Sequence, residues 1–544
     1  MKKILGAAIG SCVHVAGIMN FLSIAGCAGF TTRFAGSAVS TDLLKNELRS
    51  FKPDIAGISY RLSPESSEVL FAELEEMALK DFKDVTFILG TTKTVAEHLD
   101  KKGLLKIFDR VFTGGENRSE IEDFLSAKNK IKTDGTVPPQ NLIDRIKYKK
   151  PYPLLRHHYG RPTVQETFKG IKKISKSGLI DVVSLGPDQN AQEFFFKPEK
   201  MNRKQDGAGG VPIRNERDLE LLYSATRTGN FPLMRCYSGT NDILKFAEVL
   251  RRTINNAWCA VPLCWYNEID NRSRRKLGTA IKENIEVMKW HADRDIPVEV
   301  NESHHWSLRY AHDAVAVAAA FIAAYAAKKS GVRTYVSQYM FNTPPETSFI
   351  MDLAKMLAKI ELIESLHDKD FTSVRETRTG LYSMPADFNF AKGQLAASTV
   401  LQMQIEPSIV HVVAYCESSF AAKPPEIMES AAIVKKVIQD CIGGCPDMKN
   451  DPRVIKRKDE LVKDACLIIS KIKSLDADKK FKDPLAEPSI IALAIKKGIL
   501  DAPHLQGASG ACGRIRTAFF NGANYAVSES GEIISEKDRL KRLL

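Results

Sequence analysis

The chain has ten cysteines but no Cys-x-x-Cys pair; its tightest pair is Cys441-x-x-x-Cys445. That argues against a zinc ribbon and reads as free thiols in a reducing cytoplasm. Aromatic residues are 8% of the chain, and no basic stripe is interleaved with them. Despite a formal net charge of +12, a nucleic-acid partner is therefore not expected. Long apolar runs are missing as well. AVAVAAAFIAAYAA (314–327) is too short to span a bilayer and reads as a helix packed on a sheet, so no membrane is expected. What is present is ordinary for a globular protein: 44% hydrophobic and 26% charged residues. At 544 residues, two or three domains are expected.

The first residues, MKKILGAAIGSCVHVAGIMNFLSIAGC, resemble a lipoprotein signal ending at Cys27. The apolar stretch is too long for one, and it contains His14 and Asn20. The preferred reading keeps it in the fold. ILGAAIG is a strand, SCVHVAG a loop, IMNFLSIAGCAG a small-residue helix and FTTRFAG the second strand. DIAGISY, VTFILGTT and RVFTGG follow, separated by helical segments. This alternation predicts an α/β, doubly wound parallel sheet, whose ligands sit beyond the strands' carboxyl ends. His14, Ser59, Gly90, Thr91, Gly114 and Gly115 all fall on that rim.

Cys12-Val-His14-Val-Ala-Gly17 resembles the Asp-x-His-x-x-Gly loop of cobalamin-binding domains, closest to the small subunit of glutamate (methylaspartate) mutase. The resemblance implies a flavodoxin-like domain over 1–128, with His14 as the lower axial ligand of cobalt. Ser59 matches the family's Ser-x-Leu element, and Gly90-Thr91 stands where the family has Gly-Gly. The pattern departs at Cys12 (for Asp), at Arg61 (for Leu, with Leu62 one place late) and at Thr91. Cofactor contacts are expected from Cys12, His14, Gly17, Ser59, Arg61, Leu62, Gly90, Thr91, Gly114 and Gly115. A metal-bound imidazole is normally steadied by a partner on its other nitrogen, so Cys12 predicts a weaker hold on cobalt than Asp would give.

Residues 129–150 carry Gly and paired prolines and read as a linker. Beyond them strands alternate with helices again: 179–188, 232–240, 258–266, 296–305, 333–342 and 409–417. This rhythm predicts a (β/α)8 TIM-type barrel over 151–425, followed by an α-rich extension over 426–544. Its strand ends are polar. Gln189, Asn190, Tyr237, Asn301, Glu302, His304, Gln338 and Asn342 are the expected substrate-binding residues, and His304 and His305, being adjacent, are not expected to face one ion together.

The barrel resembles the catalytic subunit of glutamate mutase. By that resemblance Arg161 and Arg235 hold substrate and Glu417 contacts the adenosyl group. Val413 stands for a family lysine, while Thr253, Cys259 and Leu263 occupy the family's glutamate and tyrosine positions. The expectation is an adenosylcobalamin-dependent radical mutase acting on a small polar, anionic substrate other than glutamate. A homodimer is compatible with it. A corrinoid methyltransferase and a non-enzymatic corrinoid carrier or sensor are the alternatives. Against the methyltransferase, only Met1-Lys2-Lys3 precede the first strand, where such proteins generally carry a helical cap.

Overall fold

A computed structural model describes residues 2–128 and 137–543, in two compact units divided after Thr136. The first unit is a parallel sheet of β1 (Lys3–Ile9), β2 (Thr31–Val39), β3 (Ile55–Ser59), β4 (Thr86–Gly90) and β5 (Phe108–Phe112). Its order is β2-β1-β3-β4-β5, which is compatible with a flavodoxin-like fold. The order reverses between β1 and β3, so the loops after these strands open the crevice where such sheets bind ligands. Residues 3–27, the stretch with signal-like composition, supply β1 and the helix Ala16–Cys27.

Helices cover both faces of this sheet because their apolar residues recur at helical spacing. In Thr41–Phe51, Leu44, Leu48 and Phe51 are buried, and Ser40 caps the start by accepting from the Leu43 N–H. Each buried leucine contributes roughly 1.5–3 kcal/mol. On the opposite face Ile18, Phe21, Leu22 and Ala25 pack over Ile4, Ile55 and Ile88.

The second unit is an eight-stranded parallel sheet: β6 (Leu154–Tyr159), β7 (Val182–Leu185), β8 (Leu233–Cys236), β9 (Cys259–Val261), β10 (Val298–Val300), β11 (Thr334–Phe341), β12 (Thr372–Thr379) and β13 (Ile409–His411). The order β8-β7-β6-β13-β12-β11-β10-β9 wraps round so that β8 and β9 meet. Two backbone hydrogen bonds, Ala257 N–H to Met234 O (3.0 Å) and Ser238 N–H to Ala260 O (3.2 Å), draw that seam together. The result is a nearly closed barrel, compatible with the TIM type.

Three expectations need correcting. β6 and β12 do not appear among the six strands read from the sequence. The proposed linker is in part structure: 129–136 lie outside the described residues, but Leu142–Lys149 is a helix. Its Leu142 and Ile146 pack beneath Leu154, Val182, Leu233, Trp258, Val336 and Ile409, closing the amino-terminal end of the barrel. Finally, a boundary at 425/426 cuts the helix Pro424–Gly443. That helix belongs to the barrel, since its Ile427, Ala431, Val434 and Ile438 share the core around β6, β7 and β8.

After it, the helix Pro452–Lys473 packs on the barrel helices Asp313–Lys329 and Phe349–Glu364. The Ala-rich run is thus a helix buried on nearly all sides. No helix among the described residues is long and apolar enough to cross a membrane.

Candidate functional site

The barrel interior is built in layers from alternate strands. At the bottom it is apolar. Above that, the first, third, fifth and seventh strands contribute Arg156, Arg235, Glu299 and Glu376, all fully buried. Arg156 Nη1 meets Glu376 Oε1 and lies 3.5 Å from Glu299 Oε2, while Arg235 Nη2 donates to Glu299 Oε2 at 2.7 Å. Trp258 Nε1 (2.6 Å) and Gln338 Nε2 (3.0 Å) also donate to Glu299. Burial would raise the Glu299 carboxyl, but Arg235 and Arg156 hold it below its ordinary value.

Two residues further along stand His158 and Arg378, on β6 and β12, and Tyr237 and Asn301, just past the ends of β8 and β10. Side chains two apart share a face, and all four line a cavity of about 1120 Å³ at the carboxyl end of the barrel. His157, Tyr266, Arg272, His304, His305, Tyr382 and Glu417 add to its wall. This is the end at which barrel enzymes carry their chemistry, and the volume exceeds that of an ordinary small-ligand pocket.

The cavity has a defined electrostatic character. His304 and His305 are pushed well below the ordinary histidine range, chiefly by burial, with Arg378 and Lys359 adding to it at His304 and the His304 ring and Arg309 at His305, so both are neutral. His158 is depressed for the same reason, with Arg156, Arg235 and Arg378 adding to burial. Glu417 Oε1 lies 2.9 Å from His157 Nε2 and accepts from the Ala414 N–H at 3.0 Å. Burial works to raise that carboxyl, but His157, the Ala414 N–H and Arg378 hold it below its usual value. The Arg378 side chain has no hydrogen bond or ion pair among the described residues, and its Nε and the Asn301 Nδ2 are buried without partners. Arg272 lies over the Tyr266 ring, 4.6 Å from its centroid.

The residues expected from sequence divide into three groups. Glu417, Tyr237, Asn301 and His304 line the cavity. His305 does too, with its ring centroid 4.5 Å from that of His304. The two neighbours share a short helical turn, Ser303–Ser307, and both line the same cavity.

Others lie beneath the cavity or serve the scaffold. Arg235 and Gln338 are tied to Glu299 below the floor. Glu302 accepts from the N–H groups of Leu263 and Cys264 and from Trp306 Nε1, which fixes the turn after β10. Asn190 bonds Asn202 and Asp206 in a neighbouring loop. Asn342 has a left-handed backbone (φ 55°), and its N–H donates to Asp352.

A third group misses the cavity. Gln189 is exposed on the first turn of the helix Gln189–Phe194. Arg161 Nη1 donates to the Ala421 carbonyl at 3.2 Å. Arg161 and Arg235 therefore do not form one clamp: neither lines the cavity, and the arginines that do are Arg272 and Arg378. Val413, Cys259 and Leu263 are buried in the outer core, and Thr253 bonds back to Val249 O in its own helix. Those positions carry no information about the substrate, and the exclusion of glutamate loses its basis.

In the first unit the expected residues gather on one rim. His14 is exposed beyond β1, with Nδ1 3.8 Å from the buried Cys12 Sγ. Ser59 Oγ donates to the His14 carbonyl (3.3 Å), and Thr91 Oγ1 donates to the Tyr60 carbonyl (2.7 Å), which orders the loops after β3 and β4. Gly90 ends β4, while Arg61, Gly114 and Gly115 are exposed and Leu62 half-buried. A Cβ on Gly17 or Gly115 would meet nothing within 4 Å. The packing of the protein itself does not require glycine at these two positions. A Cβ on Gly6 or Gly57, paired across β1 and β3, would strike Ile18 or Leu22.

An exposed imidazole stands at the switch point of this rim, and a Cβ at Gly17, three residues on, would meet open space, so the rim leaves room there for a bound group. Below the rim, the bare sheet at Gly6 and Gly57 is covered by Ile18 and Leu22, so a ligand tail reaching it must displace those two side chains. Among the described residues, no group of three or more His, Cys, Asp or Glu could hold a metal ion by itself.

Comparison with known proteins gives no match: no family model fits the chain, and none of the curated proteins is measurably similar to it.

Proposed function

We propose that this chain is a cobalamin-dependent isomerase of the mutase type, in which the first unit holds adenosylcobalamin through His14 and the barrel holds a small anionic substrate. The observation that carries this reading is His14, an exposed imidazole at the switch point of a parallel sheet, with Gly17 three residues on, where the protein's own packing does not demand glycine. When bound, the cofactor supplies a carbon radical able to remove and return a substrate hydrogen.

The chain's own residues do the rest. His14 offers Nε2, the ring nitrogen not turned toward Cys12. Arg272 and Arg378 attract the anionic substrate to the mouth, and Asn301 orients it. Tyr266, Tyr382 and Met384 wall the cavity and limit water around a reactive species. Glu417, kept ionised by His157 and the Ala414 N–H, is an acceptor for a hydroxyl pair such as a ribose.

The test begins with cob(II)alamin added to the purified full chain. Nitrogen splitting in the electron paramagnetic resonance spectrum that disappears in His14→Ala supports axial ligation. An unchanged spectrum and affinity in that variant refutes it. Restoring the family's carboxylate with Cys12→Asp should tighten corrinoid binding. Screening small acids, amino acids and sugar acids with adenosylcobalamin then reads isomer formation by NMR. Methyl transfer from methylcobalamin, without isomerisation of any candidate, assigns the chain to the methyltransferases.

A further inference from the structure

The floor of the barrel cavity has a polarity of its own. His158 Nε2 is met by Arg156 Nη2 at 3.1 Å and by Tyr237 Oη at 3.2 Å. A guanidinium only donates hydrogen bonds, so His158 Nε2 must be the acceptor. The ring is then the neutral tautomer that carries its proton on Nδ1. The ring is fixed in position as well: it stacks on Tyr237 at 5° and 5.2 Å, and His411 packs against it at 4.6 Å. Nδ1 has no partner among the described residues, and His158 lines the cavity. The same layer holds two more donors without partners, Asn301 Nδ2 and Arg378 Nε. Arg156 cannot swing away, because its other nitrogens bond Ser184 Oγ at 2.7 Å and Glu376.

We infer that His158, Asn301 and Arg378 form a donor cradle that takes one acceptor-only group of the substrate, such as a carboxylate, and that Arg156 is a positioning residue that sets the tautomer of His158. The inference rests on the reading that the cavity is the substrate site, but not on the cofactor. A donor held in place before the ligand arrives, as the His158 ring is by Arg156, Tyr237 and His411, needs no reorganisation to receive it. The buried ion pairs below the floor thereby acquire a purpose beyond stability, since by holding Arg156 on Nε2 they decide that Nδ1 of His158 carries the proton.

The experiment uses the full chain without corrinoid, so its result is independent of whether His14 binds cobalt. Nitrogen-15 NMR of histidine-labelled protein should show, besides the ring of His291, whose Nδ1 donates to the Val287 carbonyl, a ring with a protonated Nδ1 and a bare Nε2 that is absent from the His158→Asn spectrum. Tyr237→Phe should leave that tautomer unchanged, since Arg156 alone requires it. Succinate and inorganic phosphate are the probes, with the diamine putrescine as the cation control. Both anions should shift the Nδ1–H signal, and putrescine should not.

His158→Asn places an amide N–H₂ near the Nδ1 position and should keep anion affinity within about threefold. His158→Gln and His158→Leu should lose roughly ten- to a hundredfold, the worth of a hydrogen bond to a charged group. An imidazolium or an Nε2–H tautomer at His158 overturns the proposal. So does anion binding kept by Gln and lost by Asn, or an Nδ1–H signal that neither anion moves.

Discussion

Arg156 and Glu376 meet inside the barrel, on β6 and β12, with both side chains fully buried. Burial pushes the Glu376 carboxyl up, and the nearby Glu299 adds to this, while Arg156 opposes both. Removing one partner of such a pair costs far more than removing both. Arg156→Met should therefore destabilise the barrel by about 3–5 kcal/mol. The double variant Arg156→Met/Glu376→Leu should recover part of that loss, because Glu299 keeps Arg235, Trp258 and Gln338. Urea unfolding of the three proteins measures it. A double variant no more stable than the single one would show that the pair is not the source of the loss.

This pair also explains what the sequence hid. The apolar strands of both units were readable because a buried parallel strand is a run of aliphatic residues. β6 (LLRHHY) and β12 (TSVRETRT) are not such runs. Their inward side chains form the charged layer and the cavity floor. On its other face β12 meets a polar helix, where Thr379 Oγ1 donates to Ser398 Oγ (2.9 Å) and accepts from Gln402 Nε2 (3.0 Å). Strands patterned this way look like loops, so Arg156, His157, His158 and Arg378 went unread with them. Tyr237, Asn301, His304 and Glu417 were legible because they follow readable strands. Whether a polar residue at a strand end faces the mouth, as Asn301 does, or braces a turn, as Glu302 does, depends on partners brought from other strands.

The helix Leu142–Lys149 leads to a second prediction. Arg145 is buried beneath the barrel and donates to the carbonyls of Pro139 (2.7 Å), Asn230 (3.4 Å) and Phe231 (2.8 Å). Arg145→Ala strips partners from three backbone carbonyls and should cost about 2–4 kcal/mol. Lys147→Ala, on the exposed side of the same helix, should change stability by less than about 0.5 kcal/mol. Thermal melts of both variants check this. Equal, small losses would return the segment to the status of a linker.

A third prediction concerns pH. Lys359 is buried on the helix Phe349–Glu364. Its ammonium is pushed down to about 7, first by burial and then by Lys355, against the pull of Asp352 and Asp313. In the unfolded chain a lysine titrates near about 10.4. Between those two values the unfolded chain holds a proton that the folded chain has released, so stability rises with pH across the window. Its slope cannot exceed about 1.4 kcal/mol per pH unit. Lys359→Met removes this dependence. The variant should be more stable than the parent near pH 7, and the gain should shrink toward pH 10. Parallel curves from pH 7 to pH 10 would show that Lys359 keeps its ordinary titration.

The last prediction separates the four arginines that compete for the role of substrate anchor. Arginine to lysine keeps the charge but loses the planar fork, so the site of the damage reports the task. Arg378 faces the cavity with a buried Nε that has no partner. Arg378→Lys should leave stability nearly intact and weaken succinate or phosphate binding by at least about tenfold. Arg272, exposed at the mouth over the Tyr266 ring, should show a milder loss that fades with added salt, because exposed charges are screened. Arg235 is fully buried against Glu299 and Trp258. Arg235→Lys should lower stability first and affect binding only through the fold. Among the described residues the Arg161 side chain bonds only the Ala421 carbonyl, and its lysine variant should bind nearly as the parent does. Calorimetric titration of the four variants, each paired with a urea melt, reads both quantities. Loss of binding in Arg161→Lys or Arg235→Lys with unchanged stability, and none in Arg378→Lys, would move the anchor back to the residues that the sequence resemblance implied.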